Sequence, residues 1–243
     1  MRPVIILPTY NERENLAPIV RELLALRVPD LRIIVVDDGS PDGTGQIADQ
    51  LAREHPAVAV IHRPRKEGLG RAYVAGFRAA LRDPQNGFIF EMDADFSHQP
   101  KYVPELLARA QSADVVLGSR NIPGGGVENW SRTRRLISET ANAMVRRLLG
   151  IRVYDLTGGF KCWRRAVLER LDLDHVESSG YNFQIELTYK AHQLGFRIVE
   201  TPIVFVERRA GRSKFSVGIM AESFWKVLLL RLRRTAVKKG VGG

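Results

Sequence analysis

The chain has 243 residues, 44% of them hydrophobic, and a net charge of +10, which suits one α/β domain with a substantial core plus a tail. Its single cysteine, Cys162, excludes a disulfide framework and a cysteine-built metal centre and fits a reducing compartment. No stretch approaches the roughly 20 apolar residues that span a bilayer, and the short apolar run in MRPVIILPTY lacks a cleavage site, so it reads as a buried strand and not as an export signal.

In chain order, short β-branched runs alternate with helical patterns. Strands are predicted at 4–7, 32–36, 58–61 and 88–92, and helices at about 14–26, 43–54 and 69–82, the pattern of βαβ units in a mainly parallel sheet. A fifth strand, DVVLGSR at 114–120, leads into the loop NIPGGGVENW, whose three glycines suggest a lid or a floor. Then come a helix at about 133–149, a turn DLTGGFKCW at 155–163, a helix at about 181–194 and a β-rich run at 197–207. Helical spacing continues from about Val217 to Lys239, where Met220, Phe224, Val227 and Leu228 recur among basic residues. The charge is concentrated at this end. From Glu207 to Gly243 there are ten Lys and Arg against two Glu, so the tail carries +8 of the +10. The chain divides into a catalytic domain at 1–216 and a basic amphipathic helix at 217–243.

Three of the strands run into polar turns at their C-terminal ends, the edge where open α/β sheets bind ligands. Asp93 and Asp95 follow the fourth strand with only Ala94 between them. Two carboxylates so placed can share a hard cation that neutralises a diphosphate, whereas the plain alternative is a solvated turn. In VVDDGSPDGT Asp37 ends its strand and is the better contact for a ribose or base, while Ser40 or Asp42 can simply cap the next helix. Pro8 and Tyr10 can flank a nucleobase with Glu12 beneath it, or Asn11 to Glu14 can be only a helix start. Arg120, Arg208, Arg212 and Lys214 supply phosphate-binding cations, and Arg132 and Arg135 read as solvated surface. No histidine stands out as catalytic.

Together PTYNERENL, VVDDGSPDGT, DADFSHQP, GSR, DLTGGFKCWRR and RRAGRSKF resemble the dolichol-phosphate mannosyltransferases, polyprenol-phosphate mannose synthases of the inverting glycosyltransferase family 2. The likeness covers about Val4 to Phe215 and is closest to members without transmembrane helices. It implies a GT-A, Rossmann-like fold, with a mixed, mainly parallel sheet flanked by helices. It also implies a nucleotide-sugar pocket of Pro8, Tyr10, Glu12, Val35, Asp37, Asp93, Ala94, Asp95, Arg120, Arg208 and Lys214. Asp93 and Asp95 would hold Mg²⁺ or Mn²⁺, and Arg120, Arg134 and Ser138 would hold the acceptor phosphate. Asp95, Arg120 and Arg134 are the implied catalytic residues. Where many relatives have Gln two residues after the second Asp, this chain has Ser97.

The implied reaction moves mannose from GDP-mannose to a polyprenyl or dolichyl phosphate at the cytoplasmic face of a membrane, and a separate membrane-anchoring protein is a further partner that the likeness allows. Glucose or another hexose from a UDP-sugar is the alternative, and a non-catalytic nucleotide-sugar-binding module a more distant one. A phosphate monoester with a second pKa near ~6 is already largely dianionic at pH 7, so no general base is expected. Nucleic acid is not an expected partner, because the tail intersperses its bases mainly with Leu and Val and not with stacking aromatics. The same pattern suits a helix lying on an anionic lipid surface, or one that packs on protein.

Overall fold

The computed structural model describes residues 1–176, 178, 180–207 and 225–232. Its sheet is built from β1 (Arg2–Thr9), β2 (Arg32–Asp37), β3 (Val58–His62), β4 (Asn86–Glu91), β5 (Val115–Ser119), β7 (Lys161–Arg164) and β8 (Ile198–Pro202) in the order β3-β2-β1-β4-β7-β5-β8. All neighbours are parallel except β7, which runs antiparallel to both β4 and β5. A separate two-stranded parallel ribbon joins β6 (Gly126–Glu128) to β9 (Val204–Val206). The helices are α1 (Leu16–Ala25), α2 (Thr44–Glu54), α3 (Leu69–Leu81), α4 (Val103–Arg109), α5 (Arg132–Leu149), α6 (Arg165–Arg170) and α7 (Tyr181–Gln193). This is the mixed, mainly parallel GT-A-like architecture.

The strands are continuous apolar runs because both sheet faces are covered. Successive side chains alternate between two cores. Val4, Ile6, Ile34 and Val36 join α3 and α7 on one face, and Ile5, Leu7, Ile33 and Val35 join α1 and α2 on the other. A Cβ at Gly76 of α3 would collide with the Ile6 side chain, so this glycine lets the helix lie against β1.

Strand order reverses between β1 and β4, because the chain first builds outward through β2 to β3 and then returns by α3 to the other side of β1. At such a switch point the loops part and leave a crevice at the carboxyl ends of the strands. The loop after β1 and the Asp93–Asp95 turn after β4 therefore face one another.

The segment 155–163 is more than a turn, since its last residues enter β7 and insert an antiparallel strand into the middle of the sheet. Cys162 points into one core and Trp163 into the other. The run at 197–207 divides into β8 and β9 in different sheets, and part of the glycine loop is the ribbon strand β6.

Residues 225–232 are helical. Val227 is buried in the α3/α7-side core, Leu230 packs against it, and Arg231 donates to the Leu148 carbonyl. That turn therefore docks on the domain by one face. Trp225 and Leu232, 60% and 59% exposed, stand outside the contact. The proposed boundary at 216/217 and the remainder of the expected helix lie outside the described residues. Among the described residues no helix is long and apolar enough to cross a membrane.

Candidate functional site

A cavity of about 240 Å³ opens at the switch point, lined by Pro8, Thr9, Tyr10, Glu12, Asp38, Lys66, Leu69, Ala72 and Asp93 to Asp95. It brings together five residues expected from the sequence around Asp93, namely Pro8, Tyr10, Glu12, Ala94 and Asp95. Val35 and Asp37 do not line it. Val35 is fully buried in the α1/α2-side core, and Asp37 is spent on the turn after its own strand. Its Oδ1 accepts from Ser40 Oγ at 2.5 Å and Thr9 Oγ1 at 3.2 Å, and its Oδ2 from the Ser40 amide at 3.2 Å. The next carboxylate, Asp38, lines the cavity and is paired with Arg63. Asp38 is thus the carboxylate of this pair that borders the cavity. Gly39 makes this possible at φ +70°, where its missing Cβ also spares the Arg63 and Pro64 carbonyls. Asp42 accepts from the Thr44 amide and hydroxyl at the start of α2, so it serves that helix.

Lys66, which the sequence reading did not single out, sits with Nζ 3.7 Å from the centre of the Tyr10 ring. It places a cation at the rim of the same cavity. Its signal was present but weak, in the basic residues that follow the carboxyl end of β3.

The two aspartates are individually oriented. Asp93 Oδ1 accepts from the hydroxyl of fully buried Tyr73 at 2.9 Å. Burial and then the neighbouring Asp93 push the Tyr73 phenol well above its ordinary pKa, so it remains a donor. Asp95 Oδ1 accepts from Ser97 Oγ at 2.5 Å and the Ser97 amide at 3.0 Å. Ser97 therefore fixes the second carboxylate. No set of three or more His, Cys, Asp or Glu suited to a metal occurs among the described residues. Two hard carboxylate oxygens at an open crevice nevertheless fit Mg²⁺ or Mn²⁺, ions that commonly take their other ligands from water and substrate phosphate.

Beyond Asp93 lies a second cavity of about 170 Å³, whose lining includes Leu69, Asp93, His98, Arg120, Trp130, Arg134, Tyr181 and Phe205. Arg134 stacks 4.1 Å from the Trp130 ring centre and pairs with Glu207. Ser138, one turn further along α5, borders a small adjoining crevice with Arg120 and Trp130, not this cavity. Arg120, also on this lining, is held by side-chain partners of its own. Its Nε and Nη2 grip Asp155 at 2.7 and 2.6 Å, and Nη2 also reaches Thr157 Oγ1 at 2.9 Å. Among the described residues, Nη1 has no hydrogen-bond partner. Burial alone would raise the Asp155 pKa, but Arg120 outweighs it and holds the carboxyl low. Arg132 and Arg135 are surface residues, Arg135 paired with Glu139. Arg208, Arg212 and Lys214 lie outside the described residues.

Beneath the two cavities runs a buried polar network that the sequence did not announce. Glu91 accepts from Trp163 Nε1 at 2.7 Å and Gln184 Nε2 at 2.6 Å, while Lys161 Nζ donates to the Gln184 side-chain and main-chain oxygens. Burial raises the Glu91 pKa and lowers that of Lys161 to about 8. His98 is also buried and was missed, although it follows Asp95 by three residues. Its Nδ1 accepts the Asp93 amide at 3.0 Å, so its proton sits on Nε2, and burial lowers its pKa.

An open α/β sheet with an acidic crevice at its switch point, and cations beyond it, is the construction of a nucleotide-binding α/β protein. The family model for glycosyl transferase family 2 matches residues 4–172, and the chain belongs to that family. It is 48% identical over 225 residues to an undecaprenyl-phosphate mannosyltransferase of Micrococcus luteus, covering 92% of this chain and 91% of the relative. It is 49% identical over 228 residues to a polyprenol monophosphomannose synthase of Mycolicibacterium smegmatis, covering 93% and 85%. These relatives agree with the likeness read from the motifs. Among solved structures, glucosyl-3-phosphoglycerate synthase of Mycobacterium tuberculosis, in complex with phosphoglyceric acid, superposes with a TM-score of 0.66 at 20% identity, over 96% of this chain and 79% of that one. A second structure of that enzyme holds Mn²⁺, UDP and its product. At this identity the likeness speaks for the fold alone.

Proposed function

We propose that the chain transfers mannose from GDP-mannose to a polyprenyl phosphate with inversion, at the cytoplasmic surface of a membrane. The observation that carries this reading is that two cavities meet at Asp93 and Leu69. One is bounded by the aspartate pair and the other by Arg134. A donor diphosphate in the first and an acceptor phosphate in the second would lie on opposite sides of the sugar, and the names of the mannosyl-transferring relatives supply the sugar and the lipid class.

In that arrangement an acceptor phosphate oxygen forms the new bond to the anomeric carbon as the bond to the donor diphosphate breaks, and the electron pair leaves with GDP. The acceptor is already anionic, so no protein base is required and the residues work by positioning and charge. A divalent cation held by Asp93 and Asp95 would neutralise the departing diphosphate. Arg134 exchanges Glu207 for the acceptor phosphate, and Arg120, locked on Asp155, forms a fixed cationic wall. Tyr73 holds Asp93 in place. Tyr73→Phe is accordingly expected to weaken Mn²⁺ affinity by about 10-fold or somewhat more, measured by titration in the presence of GDP, while the ring packing is kept.

The apolar residues Trp225 and Leu232 stand outside the docked face of the 225–232 turn, in the basic C-terminal part of the sequence. This suits contact with an anionic lipid surface. Replacing Trp225 and Leu232 together by Glu is expected to reduce flotation with anionic liposomes severalfold without lowering the melting temperature. Undiminished flotation would clear this surface of the role.

The activity is tested by incubating the protein with Mn²⁺ or Mg²⁺, a short polyprenyl phosphate and a panel of labelled GDP- and UDP-sugars, then extracting lipid. Label entering the lipid phase from GDP-mannose supports the proposal. Label entering only from a UDP-hexose would replace the donor, and no transfer from any donor would reject the reading.

A further inference from the structure

Lys161 and Glu91 are a buried pair of charges that the transfer chemistry does not use. They face each other across β7 and β4, and both are fully buried. The side-chain amide of Gln184 bridges them. Its Oε1 accepts from Lys161 Nζ, and its Nε2 donates to Glu91 Oε2 at 2.6 Å. The other oxygen of Glu91 accepts from Trp163 Nε1 at 2.7 Å, and Lys161 Nζ donates also to the Gln184 main-chain carbonyl at 3.1 Å. A carboxamide has an acceptor end and a donor end. With a cation at one end and a carboxylate at the other, only one orientation of Gln184 is satisfied.

Stability alone does not explain such a pair, because desolvation consumes most of its attraction and apolar residues of similar volume commonly serve as well. Its placement is more informative. Gln184 belongs to the first turn of α7 and lines the second cavity with Gly180 and Tyr181. Glu91 ends β4, two residues before Asp93. Lys161 also stands opposite Leu117 of β5, the strand that leads to Arg120. The bridge therefore ties one wall of the second cavity to the strands that carry the aspartate turn and Arg120. Gly180 gives α7 no side-chain cap, so the first turn is oriented by what it packs on. Phe183 stacks on Tyr73 with ring centres 6.0 Å apart, and Gln184 is held in the bridge.

We propose that Lys161 and Glu91 are positioning residues for sugar transfer: by fixing the Gln184 amide they hold the first turn of α7 at a set distance from the Asp93–Asp95 turn, so that the two cavities stay in register. Neither residue lines either cavity, and both act through Gln184. The proposal rests on the reading of the chain as a hexosyltransferase and adds to it the device that aligns the two sides of the reaction. Alignment acts on the rate of the chemical step more than on affinity, since a displacement of about 1 Å costs on the order of 10²-fold.

The test compares wild type with two variants. The double replacement Lys161→Met with Glu91→Gln removes both charges at nearly constant volume, and Gln184→Asn keeps an amide one methylene too short to span the pair. Measured for each are kcat and KM with GDP-mannose and polyprenyl phosphate, GDP affinity with Mn²⁺ present, the melting temperature, and amide hydrogen exchange in the first turn of α7. Both variants are expected to fold and to keep GDP affinity within about twofold, while kcat falls by about 10-fold or more and the first-turn amides exchange faster than in wild type. Because all three residues act through one bridge, combining the replacements should add little to the larger of the two losses. The proposal is overturned if the charge-free variant keeps kcat within about twofold of wild type, if the loss lies only in KM or GDP affinity, or if turnover falls only in proportion to the unfolded fraction. Should the charge-free variant fail to fold, Gln184→Asn decides by the same criteria. If wild type uses another nucleotide hexose, the mannose reading fails and the same comparison on that donor decides the role of the bridge. If it uses none, both fall.

Discussion

Asp95→Asn is expected to lower the turnover of sugar transfer by roughly 10²–10³-fold, the loss typical when one preorganised charge-stabilising group is removed from a reacting centre. Asn keeps the oxygen that accepts from Ser97 Oγ and the Ser97 amide and removes only the charge, so the turn after β4 is retained. The measurement is single-turnover transfer with and without a chelator. Wild type should lose activity on chelation, whereas the variant, already deprived of half of the carboxylate pair, should lose little more. A variant with near-normal transfer would remove Asp95 from the chemistry.

The second large effect concerns stability. Asp155 is fully buried and the Arg120 side chain is only 7% exposed, and three Arg120 N–H groups, including the main-chain amide, point at the one carboxylate. Asp155→Asn leaves the guanidinium buried without a counter-charge and is expected to destabilise the domain by about 3–5 kcal/mol, the range for breaking a buried ion pair from one side. Urea unfolding at neutral pH measures it. The sign of the pH dependence follows from the depressed Asp155 pKa. The stabilisation is fully present above the ordinary carboxylate value of 3.8 and is lost as pH falls through the lower folded-state value. The gap between wild type and variant should thus be constant from neutral pH to about pH 5 and should close in stronger acid. The double replacement Arg120→Met with Asp155→Leu, which removes both charges, should recover much of the loss.

The parts of the fold that were legible in the sequence are those whose burial is monotonous. β1, β2, β4 and β5 are covered on both faces, so their β-branched runs stand out, and the amphipathic helices between them keep their period. β7 was not legible, because four residues, K-C-W-R, carry only two apolar side chains, one for each core, between two bases that read as surface. Lys161 is instead fully buried, and its partners Glu91 and Gln184 come from distant elements that only the folded sheet brings together.

The candidate site divides in the same way. The aspartate pair after β4 and the Pro8 to Glu12 loop are local features, and the topological switch fixes where they meet. The sequence marks Asp37 as the residue that ends the strand, but only the folded turn shows that Asp37 bonds Ser40 and Thr9 while Asp38 pairs with Arg63 at the cavity edge. Arg120 was legible as a cation beside the crevice, but its commitment to Asp155, 35 residues away, was not. His98 was overlooked because a histidine next to a carboxylate turn has no periodicity to mark it. Its bond to the Asp93 amide and its stacking on Phe160 appear only in the folded turn.

The most direct test of the account is a crystal of the wild-type protein soaked with Mn²⁺ and GDP-mannose, measured at the manganese absorption edge. The expected result is an anomalous peak within coordination distance of Asp93 or Asp95 and of the donor diphosphate, with the sugar directed toward the cavity bounded by Arg134. A peak elsewhere, or a nucleotide bound outside the crevice between β1 and β4, would contradict it.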